Sequence, residues 1–199
     1  MIEKILNIPS IIRLKFYPII YRRIFRTKDI VVGDNIKILG KVSIIGSGKI
    51  TIGDNFCLTS GEHINPICAN MQASFYTDSS DAKIQIGDNV GMSSTRIWIH
   101  EGLTIGNNVK IGGGVLIIDT DCHSIDWKVR RNRDNQVCSA PITIEDDVWI
   151  GAQCVILKGV TIGARSIIGA GSVVTKSISP DCIAAGNPCK IIKKLNYME

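Results

Sequence analysis

The sequence predicts an all-β fold, a parallel β-helix with a short N-terminal helical cap and one extruded loop. Three observations predict it. Aliphatic residues recur at every sixth position in an unbroken run, Ile144, Ile150, Ile156, Ile162, Ile168 and Val174. A second small or aliphatic residue follows four places after each of the first five: Val148, Cys154, Val160, Ser166 and Ser172. Turn-forming pairs stand two and three places after the lead residue in IGDN at 52–55 and 86–89 and in IGNN at 105–108. A period of six is neither that of a helix nor that of a simple strand. It fits a short strand plus a corner, each lead residue stacking over the one in the coil below. Asp, Asn and Gly at the corner accept the positive φ that a sharp turn needs. Earlier blocks, Ile99–Ile105–Ile111–Ile117 and Val32–Ile38–Ile44, keep the same period. The period alone leaves the number of sides per coil open.

The elements follow in chain order. Residues 1–28 hold Lys4, Arg13, Lys15, Arg22, Arg23, Arg26 and Lys28 against Glu3 alone, interleaved with Ile5, Leu6, Ile8, Ile11, Ile12, Leu14, Phe16, Ile19, Ile20, Ile24 and Phe25. This reads as a basic amphipathic cap that Pro9 and Pro18 break into short helical pieces. The cap packs on the body with solvated charges, or it touches a membrane surface from one side. Residues 29–179 form the β-helix. Within it, 59–83 is irregular, a distorted coil or an insertion, and the polar stretch 119–141 is an extruded loop, where function concentrates in repeat proteins. Residues 180–199 are a C-terminal tail.

Composition narrows the function classes. With 45% hydrophobic and 21% charged residues among 199, the chain is neither disordered nor fibrous and forms one main domain. No segment is long and apolar enough to span a bilayer. The basic segment has no stacking platform and the body no recognition motif, so no nucleic acid partner is expected. The seven cysteines form no CxxC pair or short zinc spacing, and no signal-peptide cleavage pattern precedes them. They are expected to be reduced thiols in a cytoplasmic protein, with no metal bound.

The repeats resemble those of the hexapeptide-repeat acyltransferases, and the resemblance covers roughly residues 30–195. It is strongest over VWIGAQCVILKGVTIGARSIIGAGSVVTKSISPDCIAAGNPCKII, which is similar to the galactoside, maltose and polysaccharide O-acetyltransferase branch. It implies a triangular, left-handed β-helix of three hexads per coil, assembled as a homotrimer with sites between subunits. It implies acetyl-CoA as co-substrate and a sugar or polysaccharide precursor as acceptor. TDCHSID supplies His123 at the family's catalytic position, with Ser124 where many relatives have proline, which counts against the galactoside and maltose enzymes themselves.

A histidine suits the chemistry, because a sugar hydroxyl must lose its proton as it attacks the thioester. The expected path is direct transfer: His123 takes that proton and returns it to the leaving thiolate. Asp119, Asp121 and Asp126 flank it. Asp121 is the candidate to orient the ring and Asp119 to meet the acceptor, although loop aspartates also bond backbone N–H groups. The resemblance puts Trp149 and Ala152 beside the pantetheine arm, Ala170 along the coil edge, Thr175 with Lys176 beyond, and Lys190 and Lys193 at the phosphates. It puts Ser93, Ser94 and Trp98 near the acceptor. Arg130, Arg131 and Arg133 either meet an anionic acceptor or are solvated. His100 is the second histidine to weigh, since serine acetyltransferases resemble this fold and use two; its other reading is a coil-edge residue. His63 has no motif. A serine acetyltransferase-like enzyme, a non-catalytic scaffold and a metal-dependent hydratase are the competing readings.

Overall fold

The computed structural model describes residues 10–28, 30–61, 64–68, 70–132 and 137–196. Each coil places one short strand on each of three sheets, so the sides number three. The first side stacks Val31–Val32, Lys49–Ile52, Lys83–Ile86, Gly102–Ile105, Ile142–Ile144 and Thr161–Ile162. The second begins with Lys37–Leu39, Cys57–Thr59, Gly91–Ser93, Lys110–Ile111, Trp149–Ile150 and Ile167–Ile168. The third holds Val42–Gly46, Ala73–Thr77, Arg96–Ile99, Leu116–Ile118, Val155–Leu157 and Val173–Val174. The six-residue leads stack in register, Ile86, Ile105, Ile144 and Ile162 on one side and Ile97, Ile117, Ile156 and Val174 on another. All of these are at most 3% exposed, which makes the period the signature of one continuous core.

The corners are built as the sequence suggests. Asn35, Asn55, Asn89 and Asn108 have φ between 56° and 59°, and the side-chain amide of each of the first three donates to the next asparagine of the column. Asp34, Asp54 and Asn107 each give a backbone N–H to the corresponding side-chain oxygen of the following coil, at 2.7–2.8 Å with Asp88 included. Short polar side chains thus satisfy corner backbone that no sheet ladder reaches.

Two expectations need correction. Helix α1, Ser10–Thr27, runs through Pro18 without a break. A mid-helix proline costs on the order of 3 kcal/mol. Against it stand Tyr21 and Phe25, both 4% exposed, with Tyr17 and Ile24 packed beside them on the first coil, and Tyr21 Oη accepting from the Val42 N–H at 2.5 Å. Burial of those rings outweighs the local penalty. Within 59–83 the chain makes a 3₁₀ turn at Pro66–Cys68, rejoins the third side as Ala73–Thr77 and turns again over 78–82, the irregular coil that the sequence suggests. The tail also folds: Cys182–Ala185 extends the second side in parallel and Lys190–Lys194 turns back antiparallel to it, so the body passes residue 179. Met1 to Pro9 of the cap lie outside the described residues. Among the described residues no helix is long and apolar enough to cross a membrane.

The loop leaves the third side after Ile118 and re-enters the first at Ile142. Thr120 pairs with Ser139, the Asp121 N–H donates to the Cys138 carbonyl and the Ala140 N–H to the Asp119 carbonyl, closing a narrow neck. Beyond the neck lies a short helix α2, Trp127–Arg131, capped by the Asp126 carboxylate accepting from the Lys128 N–H at 2.8 Å.

Candidate active site

The site is assembled where the third side ends. Thr77 and Ile99 are register partners, so Asp78 and His100 leave their strands at the same level of successive coils. His100 Nδ1 lies 2.8 Å from Asp78 Oδ1, and Asp78 Oδ2 accepts the Trp98 Nε1–H at 2.8 Å. Trp98 in turn rests on Tyr76, ring centroids 5.2 Å apart. A carboxylate oxygen that accepts there places a ring proton of His100 on Nδ1. Asp78 was not singled out from the sequence. It stands 22 residues before His100 rather than the eighteen of three hexads, because the turn after Thr77 lengthens that coil.

On the next coil Asp119 follows Leu116–Ile118 and is completely buried. Its carboxylate accepts three backbone N–H groups, from His100 at 2.7 Å, Glu101 at 2.8 Å and Gly102 at 2.9 Å. It therefore fastens the loop entrance to the coil that carries His100. Asp121 is half-buried and pairs with Lys158 at 3.1 Å, the residue after Leu157 of the following coil. His123 is exposed on the outer side of the neck. Among the described residues no side chain is hydrogen-bonded to its ring. Burial pushes the Cys122 thiol up, and the carboxylates of Asp78, Asp121 and Asp119 push it further. Cys122 thus stays protonated at neutral pH and is a poor acyl carrier.

The expected coenzyme A residues fall into two groups. Trp149 lies on the outward face of the second side, 56% exposed, with Lys110 and Ile167 as register partners and Ile183 and then Lys193 beyond. Ala152 and Ala170 form the corner that follows this side, and Lys190 pairs with Ala185 at the same end. That ridge is tight: a Cβ on Gly151 would sit 2.5 Å from the Ala170 nitrogen, and one on Gly112 2.6 Å from that of Ala152. A ridge of Gly and Ala beside an exposed indole is a fit surface for a narrow, flexible chain such as pantetheine. Thr175 and Lys176, both exposed, leave the third side at the level of Lys158 and belong to the histidine-bearing corner instead.

The acceptor expectations divide as well. Trp98 and Ser93 remain partly accessible, Ser93 sharing a hydrogen bond with Thr59 at 2.9 Å. Ser94, turned inward at φ 44°, and Asp119 are both completely buried, which takes them out of the acceptor set. Arg130 is used within the loop, its guanidinium donating to the Ser124 carbonyl at 2.6 Å, and Arg131 lies 4.6 Å from the Trp127 ring centroid. His63 and Arg133 lie outside the described residues. Among the described residues no three His, Cys, Asp or Glu side chains converge as a metal site.

A triangular parallel β-helix of stacked six-residue repeats with a loop extruded from one corner defines a class, that of the hexapeptide-repeat transferases. Residues 141–176 match the bacterial transferase hexapeptide (six repeats) family. The galactoside O-acetyltransferase of Escherichia coli (strain K12) is 48% identical over 94 residues, which are 47% of this chain and 45% of the relative. A maltose O-acetyltransferase from Clostridium difficile 630 superposes with a TM-score of 0.54 and 30% identity over 84% of this chain and 70% of its own. A galactoside acetyltransferase in complex with coenzyme A gives 0.52 and 35% identity over 71% and 66%. The chain spans about half the length of the first curated relatives it matches. The chain belongs to the hexapeptide-repeat acyltransferase family, and its β-helix is of the left-handed kind.

Proposed function

We propose that the protein is an acetyl-CoA-dependent O-acetyltransferase that acetylates a hydroxyl of a sugar or polysaccharide precursor, with His123 as general base, in the cytoplasm. The observation that carries this reading is the division of one chain's site between two edges of the prism. Trp149, Ala152, Ala170 and Lys190 stand before the third side; His100, Asp121 and His123 stand after it. The third side separates them by roughly 15–20 Å at about 3.3 Å per residue. Direct transfer requires base and thioester in contact, so the ridge of one copy must meet the loop of another. A homotrimer of such prisms supplies that meeting three times over.

In this arrangement the thioester brings an activated acetyl group along the Gly–Ala ridge, and Lys190 and Lys193 stand ready for its phosphates as point charges. His123 removes the acceptor proton as the hydroxyl oxygen attacks the carbonyl carbon, and the imidazolium returns that proton to the departing sulfur. Cys122, held as a thiol, is a poor acyl carrier, which favours transfer without a covalent acyl-enzyme. The test is calorimetric titration with coenzyme A followed by thiol-release assays on sugar and nucleotide-sugar acceptors. Trp149→Ala is expected to weaken coenzyme A binding about tenfold, the loss of one large contact surface, without changing the trimer mass. A folded trimer with no affinity for coenzyme A would point to the scaffold reading instead.

The hydrogen bond between His100 and Asp78 favours a second reading, in which His100 is the base, as in a serine acetyltransferase-like enzyme. The carboxylate fixes the His100 tautomer and would stabilise its imidazolium. Under that reading Asp78→Asn lowers kcat by two orders of magnitude or more (about a hundredfold) and leaves KM for acetyl-CoA unchanged. Under the His123 reading it costs about tenfold or less, through loosening of Trp98 and the acceptor corner.

A further inference from the structure

Helix α1 carries two apolar faces, and among the described residues only one of them has a partner. Tyr17, Tyr21, Ile24 and Phe25 face the first coil. Away from that face Phe16, Ile19 and Ile20 are 50%, 67% and 47% exposed, with Ile19 and Arg26 at the rim of a cleft between the helix and the first coil that Tyr21 and Phe25 also line. Arg23 and Arg26, both exposed, continue that row toward the C-terminal end of the helix. Positions 16, 19, 20, 23 and 26 follow the spacing of a single helical face, so three large apolar groups and two guanidinium groups form one stripe.

The charge around the stripe is lopsided. Residues 1–28 hold seven Lys or Arg and one Glu, a net +6. The other 171 residues keep 16 of the 23 basic and 17 of the 18 acidic side chains, a net −1. The whole positive charge of the molecule therefore sits on the segment whose apolar stripe has no cover among the described residues. We infer that this stripe docks the protein on the surface of an anionic phospholipid bilayer. Phe16, Ile19 and Ile20 enter the acyl boundary, while Arg23 and Arg26 reach phosphate oxygens at the headgroup level. The near-neutral body adds little attraction, so the charge orients the molecule with α1 toward the lipid. A second copy is the less suitable occupant. An isologous contact across this face would set Arg23 and Arg26 and the rest of a +6 segment against their own equivalents, and a head-to-tail contact, as in a trimer, would set it against a body of net −1 that offers little attraction. The inference stands independently of the acyltransferase reading.

The test is co-sedimentation of the full chain with phosphatidylcholine vesicles, with and without phosphatidylglycerol. Wild type is expected to pellet with the anionic vesicles alone and to be released by added salt. Arg23→Gln with Arg26→Gln is expected to lower the partition coefficient about thirtyfold, at the usual worth of a cation near a charged surface. Phe16→Ser, Ile19→Ser and Ile20→Ser together are expected to abolish pelleting while circular dichroism and sedimentation mass stay those of wild type. Wild type remaining in the supernatant with anionic vesicles at low salt overturns the inference. So does a serine variant that dissociates to a smaller species, which would assign the stripe to a contact between copies.

Discussion

His123→Ala is expected to lower kcat/KM about a thousandfold, within the range that a positioned general base contributes, while the affinity for coenzyme A and the sedimentation mass stay unchanged. The split between these readouts follows from where the residue stands. Its ring is exposed on the neck, outside the core and outside the hydrogen bonds that close the loop, so its removal leaves no cavity and no unsatisfied group. The loss should fall on kcat rather than on KM for acetyl-CoA, because the proposed donor ridge lies at another edge of the prism. His100→Ala made alongside decides between the two readings of the base. The larger loss identifies the proton acceptor, and a near-normal His123→Ala enzyme transfers the role to the Asp78–His100 pair.

The solenoid was legible because each lead residue of a hexad does the same job, facing the axis and stacking on its equivalent one coil away, so a nonlocal architecture leaves a local period. The number of sides was not legible from that period. Every hexad looks alike, and only the stacking of Ile86 on Ile105 and of Ile97 on Ile117 counts the corners between them. Pro18 shows a local rule yielding to tertiary packing, the helix being held by the aromatic face it buries. His123 stood out by its motif, but the roles of its neighbours did not. Asp119, Asp121 and Asp126 are equivalent as flanking carboxylates in sequence, yet one is buried under three N–H groups, one pairs with Lys158 and one caps α2. Asp78 went unnoticed because an irregular coil displaces it from the hexad count. The burial of Ser94 is not legible either, because it follows from one positive φ in the turn after Ser93.

Asp119→Ala is expected to produce the largest stability loss of any single loop substitution, on the order of 3–5 kcal/mol, or about 10 °C in Tm for a chain of this size. The reason is arithmetic of donors. The carboxylate is completely buried and accepts the N–H groups of His100, Glu101 and Gly102; alanine offers none of them a partner, and the cavity is too enclosed for bulk water to replace the charge. Asp119→Asn should fall between the two. An amide oxygen placed at Oδ2 keeps Glu101 and Gly102, but the amide nitrogen then opposes the His100 N–H. Activity should fall with stability in both variants, because those three donors belong to the coil that carries His100 and the carboxylate belongs to the strand end from which the loop of His123 departs. A thermal melt beside the thiol-release assay separates this residue from the base: His123→Ala loses turnover at constant Tm, whereas Asp119→Ala loses both. An Asp119→Ala protein that melts like wild type would move the anchoring of the loop to the Thr120–Ser139 pairing and the Asp121–Lys158 ion pair, and Lys158→Ala would then be the substitution that frees it.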